Sequence, residues 1–220
     1  MVVSPLLCIS KKQGLIIDEA KVIIITSHAV AVLAPNDNGV AGVVRFTQEG
    51  DTVHIDYDIT GLTDGEHGFH IHTYGDLTDG CDSACAHFNP DNTEHGGLDS
   101  KIRHLGDLGN ISSEKGVSKG RISTDTLSLV LGKRNGIVGR MIIVHADPDD
   151  LGCGGLNQEG EVIDEKIHEE SLKTGNAGKR VACGVIGLAK GEVKCADDSK
   201  SVLPALIGAG IGGLIGYKLG

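Results

Sequence analysis

The chain has 220 residues, 40% of them apolar, which is enough for one domain with extensions or for two small domains. Aromatic residues make up only 3%, tryptophan is absent and glycine numbers 33, a mix that suits short strands and tight turns better than a helical bundle. The net charge of −10 argues against a nucleic-acid binder, which needs a basic face.

The run Met1–Ser10 is apolar, has no basic residue ahead of it and is interrupted by Pro5, so it reads as an extra strand or loose extension rather than a secretory signal. From Ala29 to about Gly61 the text is strand-like. Ala29–Leu33 leads into the turn cluster Pro35–Gly39, and a second apolar run covers Val40–Phe46. Val53, Ile55, Tyr57 and Ile59 then alternate with His54, Asp56 and Asp58, the period of a half-buried strand. Strands joined by short turns point to an antiparallel meander or sandwich.

Residues Asp64–Asn110 are rich in Gly, Asp and His and lose periodicity after Ile71, which predicts a long functional loop. Strand-like text resumes at Arg121–Leu131 and Ile137–His145. A second irregular stretch, Ala146–Lys179, precedes a last strand at Val181–Leu188. The segment Val202–Tyr217 is uncharged and carries Gly208, Gly212 and Gly216, a small-residue spacing seen where membrane helices meet, yet it is short of the roughly 20 residues a span needs. It reads as a flexible tail, a membrane-associating segment or a partner-packing segment.

Six of the ten histidines lie between His67 and His104. On a strand, His70 and His72 project from one face about 7 Å apart. His87, His95, His104 and Asp107 follow in the loop region, and His145 closes the run Met141–His145. Any one of these alone reads as an ordinary surface histidine; together they are a candidate metal cluster. Imidazole suits zinc and copper, and a carboxylate is acceptable to zinc. The six cysteines are compatible with none, one or two disulfides.

The stretch Gly68-Phe-His-Ile-His-Thr-Tyr-Gly-Asp76, then Gly80-Cys81, His87-Phe-Asn-Pro90 and His95-Gly-Gly97, resembles the copper/zinc superoxide dismutase family. So do Arg103-His-Leu-Gly-Asp-Leu-Gly-Asn110, Val144-His145, Asp149-Asp-Leu-Gly152, Thr174-Gly-Asn-Ala-Gly178 and Arg180-Val-Ala-Cys-Gly-Val-Ile-Gly187. The resemblance covers about residues 28–190. It divides the chain into an N-terminal extension (1–27), a dismutase-like domain (28–190) and an apolar Gly-rich tail (191–220). It implies an all-β fold, a Greek-key sandwich or flattened eight-stranded barrel with two long functional loops.

It also implies roles. His70, His72, His87 and His145 match copper ligands, and His87, His95, His104 and Asp107 match zinc ligands, with His87 shared. Asp149 matches the carboxylate linking a copper-ligand to a zinc-ligand histidine, His67 a structural histidine, and Arg180 the cation that guides the anion. Cys81 and Cys183 match the family disulfide, whereas two buried thiols are the plainer reading of the residues alone. Cys85 and Cys153 stand where relatives commonly have other residues.

The implied reaction is dismutation of superoxide to dioxygen and hydrogen peroxide, by copper that cycles beside zinc. The rival readings are a non-catalytic module that binds copper or a copper chaperone, and the dismutase-like domain of such a chaperone. The last is disfavoured because no C-x-x-C metal-binding domain precedes it. Tyr74-Gly75, Val138 and Val185–Leu188 match family dimer-contact regions, which implies a homodimer, and a cytoplasmic antioxidant enzyme is expected.

The sequence departs from the family at 156–170, an apparent insertion with Glu159, Glu161, Asp164, Glu165, Glu169 and Glu170 against Lys166. Asp147 stands where many relatives carry lysine. Both departures predict weaker steering of an anion, with Lys173 retained as a guiding cation.

Overall fold

In a computed structural model, residues 16–18, 21–25, 27–190 and 193–195 are described. The expectations for Met1–Ser10 and for Val202–Tyr217 lie outside them. Ile16–Asp18 (β1), Lys21–Ile25 (β2) and Val193–Cys195 (β12) form a small antiparallel sheet in the order β1-β2-β12.

The main body is two antiparallel sheets. One has the order β11-β3-β4-β5-β8, built from Gly187–Leu188 (β11), Ser27–Leu33 (β3), Ala41–Glu49 (β4), Thr52–Thr60 (β5) and Val117–Thr124 (β8). The other has the order β10-β9-β6-β7, built from Arg180–Val185 (β10), Met141–His145 (β9), Gly65–His72 (β6) and Asp107–Ser113 (β7). The fold is all-β, as expected. Alternate residues of the two sheets, among them Leu33, Phe46, Ile55, Phe69, Ile71, Ile142 and Val144, fill one continuous core.

The period of two sets the site. Phe69 and Ile71 point into the core, so His70 and His72 face the other side of the four-stranded sheet. Met141 and Ile143 share that other side with the partly buried Cys81 and Cys183, which lie against them. Register then aligns the functional positions: His72 pairs with Met141, Phe69 with Val144, and Arg180 with His145. A bulge between Gly68 and His70 brings Asp107 opposite His70.

Several strand boundaries differ from the sequence expectation. The strand expected over Arg121–Leu131 ends at Thr124, where the Thr124 hydroxyl accepts from Thr126 N (3.2 Å) and Gln48 Oε1 draws Leu129 N aside (2.7 Å). Ile137–Arg140 is a turn closed by Arg140 N donating to Ile137 O, so β9 starts at Met141. The last strand splits at Ile186, with β10 on one sheet and β11 on the other. The supposedly irregular stretch 146–179 holds a helix, Glu165–Thr174 (α1). Asp164 caps its start by accepting from Ile167 N, and Gly175, at φ +68°, ends it in the left-handed region.

Candidate metal centre

Three strands and one loop bring the candidate side chains together. β6 supplies His70 and His72, β9 supplies His145, β7 supplies Asp107, and the loop between β6 and β7 supplies His87, His95 and His104. All seven are buried. They form two groups: His70, His72, His87 and His145, and His87, His95, His104 and Asp107. Within each, one donor atom per residue lies within 4.8 Å of every other, and His87 belongs to both.

The partners of each ring assign its tautomer. His72 Nδ1–H donates to Cys85 O (2.8 Å) and His145 Nδ1–H donates to Gly178 O (3.1 Å). His70 Nε2–H donates to Asp149 Oδ2 (2.7 Å). This leaves His70 Nδ1, His72 Nε2, His87 Nε2 and His145 Nε2 buried without a hydrogen-bond partner, and these belong to the four residues of the first group. Four buried imidazole nitrogens without a partner, on residues whose donor atoms lie within 4.8 Å of one another, would be costly unless an electron-pair acceptor sits among them. A nitrogen-only set of this kind fits copper.

In the second group, Asp107 Oδ1 lies 2.8 Å from His87 Nδ1 and 3.2 Å from His104 Nδ1, and His95 Nδ1 lies 3.1 Å from Asp107 Oδ2. Three imidazoles and one carboxylate fit tetrahedral zinc. His95 Nε2–H donates to Asp149 Oδ1 (2.8 Å), so Asp149 joins the two groups through its two oxygens. Asn110 holds Asp149 on both sides of its peptide: Asn110 Oδ1 accepts from Asp149 N (2.7 Å) and its amide donates to Asp149 O (2.8 Å). Gly175 must lack a side chain here, since a Cβ would lie 2.1 Å from Asp149 Oδ1.

Electrostatics separate the groups. Burial, then the neighbouring His87, pushes His70 down to about 3, and burial pushes His145 down to about 4. Burial also holds His72 well below its usual range, and lowers His87. For His95, burial is outweighed by its bonds to Asp107 and Asp149, which raise it to about 9. Burial opposes ionisation of Asp107 and Asp149, but the surrounding imidazoles win and keep both carboxyls low.

A cavity of about 330 Å³ reaches the first group and is lined by His72, His87, His145, Glu170, Lys173 and Arg180, among others. Arg180 is held at its edge by three backbone carbonyls: Nη1 donates to Cys81 O (2.7 Å) and Asp82 O (3.2 Å), and Nη2 donates to Cys85 O (2.6 Å). Cys81 and Cys183 form a disulfide, which ties the loop after β6 to β10. Cys85 and Cys153 are free and exposed. His67 lies outside both groups and bonds His145 O (2.8 Å) and Thr63 O (2.9 Å).

Sequence reasoning missed the backbone carbonyls. Cys85 O serves both His72 and Arg180, at a residue whose φ of +64° and ψ of −150° form a conformation usual only for glycine.

A family model described as copper/zinc superoxide dismutase matches residues 40–186. The chain is 53% identical over 162 residues to a copper/zinc superoxide dismutase of Paramecium bursaria Chlorella virus 1, covering 73% of this chain and 80% of that protein. It is 51% identical over 160 residues to superoxide dismutase [Cu-Zn] A of Xenopus laevis, covering 72% and 96%. An extracellular superoxide dismutase of Brugia pahangi is 48% identical over 164 residues, covering 74% and 77%. Among solved structures, the clock protein EA4 superposes with a TM-score of 0.64 at 41% identity, over 75% of this chain and 96% of that one.

Proposed function

The chain belongs to the copper/zinc superoxide dismutase family, and we propose that its seven clustered ligands divide into a copper group and a zinc group sharing His87. It is an enzyme that converts superoxide to dioxygen and hydrogen peroxide, with copper and zinc as cofactors. His70, His72, His87 and His145 hold copper; His87, His95, His104 and Asp107 hold zinc. The observation that carries this division is the set of four partnerless nitrogens in the first group and the carboxylate in the second.

Bound copper supplies a one-electron couple, and bound zinc supplies a fixed positive charge beside the shared ring. The chain supplies the rest. Arg180 is a permanent cation whose three carbonyl contacts fix its direction, so it attracts and orients a small anion in the cavity beside His72 and His145. Lys173 adds a second cation to the same lining. His87 Nε2 faces the copper group while Nδ1 faces Asp107, which places Nε2 to hold a proton and hand it to reduced oxygen in the cavity. Asp149 fixes His70 and His95 at once, so both groups keep one relative orientation.

Metal analysis paired with a superoxide assay on the same preparation tests the assignment: activity is expected to track copper content. His87→Ala is expected to lose most dismutase activity, and full turnover in metal-loaded His87→Ala protein overturns the role given to that ring.

The domain reading of 28–190 is supported by the span of β3 to β11, from Ser27 to Leu188. A homodimer is supported by the exposure of Tyr74 and Leu188, large apolar residues in the regions matched to family contacts. Sedimentation of wild type against a Tyr74→Glu/Leu188→Glu variant tests it. A copper chaperone would deliver to the His72 and His145 side, where the cavity opens; copper transfer from a donor protein tests this. Among the described residues no helix is long and apolar enough to cross a membrane. Association of the tail with membranes is tested by partitioning the full chain against a 1–195 truncation, and the cytoplasmic location by cell fractionation.

A further inference from the structure

The copper side is not the only way to the metal centre. A second cavity, of about 530 Å³, is lined by His87, His104, Glu94, Glu169 and Lys173, among others. We propose that this cavity is the port by which zinc reaches its ligands, and that Glu94 and Glu169 capture the cation there; this rests on the zinc assignment of His87, His95, His104 and Asp107.

The two cavities differ in sign. Arg180 and Lys173 outnumber Glu170 around the copper cavity, as an anion requires. Glu94 and Glu169 outnumber Lys173 around the second, as a cation requires. Helix α1 produces the separation. Glu169 and Glu170 are adjacent, about 100° apart on a helix, and each lines a different cavity. Lys173 follows them by four and three residues, stands on the face between them and lines both.

The ligands show the same direction of approach. The side chains of His95 and Asp107 are 0% exposed, whereas that of His104 keeps 7%, and His104 lines only the second of these cavities. His87, which is 4% exposed, also lines it. The position of Glu169 is fixed relative to the ligand loop, because His95 N donates to Leu172 O (2.8 Å). Neither Glu94 nor Glu169 belongs to a ligand group, so their role is capture and not coordination.

The test uses the metal-free full chain with its disulfide intact, mixed rapidly with zinc ion and a fluorescent indicator of free zinc. Glu94→Gln/Glu169→Gln is expected to slow zinc association by about tenfold at low ionic strength, with the gap closing as salt rises. Dissociation rate and final stoichiometry are expected to stay at wild-type values. Glu170→Gln, on the copper cavity, is expected to leave zinc association unchanged. An unchanged rate in the double variant, an equal loss in Glu170→Gln, a loss that high salt does not close, or faster dissociation overturns the proposal. His104→Ala separates the two readings: it is expected to lower zinc stoichiometry, and if it does not, the zinc assignment falls as well. If His104→Ala behaves as expected while the double variant matches wild type, the port alone is wrong.

Discussion

The proposed copper and zinc groups share a ring, a sheet and a residue type, yet burial leaves His70, His72 and His145 neutral while the zinc group contains a histidine raised to about 9. The difference lies in how many carboxylates a ring touches: none for His72 and His145, one for His70, where burial still wins, and two for His95. In the copper group His72 and His145 donate to backbone carbonyls, which orient a ring without holding a charge on it. In the zinc group His95 stands between two buried carboxylates. The same side chain is thus set to opposite protonation states by its neighbours.

Asp149 spans the comparison, so breaking it has the largest expected effect. An amide at this position cannot accept from both His70 and His95. Asp149→Asn is expected to weaken binding of both metals by about 10–100-fold, read by chelator competition. Loss of zinc affinity alone shows that the groups are independent.

The next effect is in pH. Folded values near 3 and 4 for His70 and His145 lie below their ordinary range, so metal-free stability is lost as pH falls from about 6.5 towards them. Folded His95 lies above that range, so its contribution is present below about 6.5 and disappears as pH rises through about 9. Melting of the metal-free protein is therefore expected to weaken on both sides of neutrality, and His95→Gln is expected to flatten the alkaline side only. Zinc uptake at pH 7 is also expected to release about one proton more than copper uptake, since His95 starts protonated whereas burial keeps His70, His72 and His145 neutral. Calorimetry in buffers of different ionisation enthalpy measures this difference.

The smallest effect concerns the acidic insertion. Of its six acids only Glu170 lines the copper cavity, and Glu169 the other; Glu159, Glu161, Asp164 and Glu165 line neither. Glu170→Gln is expected to raise the dismutation rate by about twofold at low ionic strength, and Glu159→Gln/Glu161→Gln to leave it unchanged, by pulse radiolysis. Weakened steering then rests on one residue and not on the whole segment.

The clustered residues proposed as ligands were legible because side-chain chemistry and strand period mark them. His70 and His72 alternate with core residues Phe69 and Ile71, a pattern visible without coordinates. Helix α1 was signalled by Asp164 and Gly175 at its ends, but the exposed acids between them hid it in apparently irregular text. The end of β8 depended on Gln48, 81 residues from the Leu129 amide it binds, and no local pattern carries such a contact. The Cys85 and Gly178 carbonyls were invisible because every residue has one.

The Cys85 carbonyl is shared between His72 and Arg180. It therefore behaves like a single hinge pin with two arms. Tilting that one peptide turns a proposed copper ligand and one of the three anchors of the proposed anion guide together, so errors in the two are correlated. Variants that disturb the pin should lose catalysis and steering in proportion, whereas variants elsewhere can alter one and spare the other.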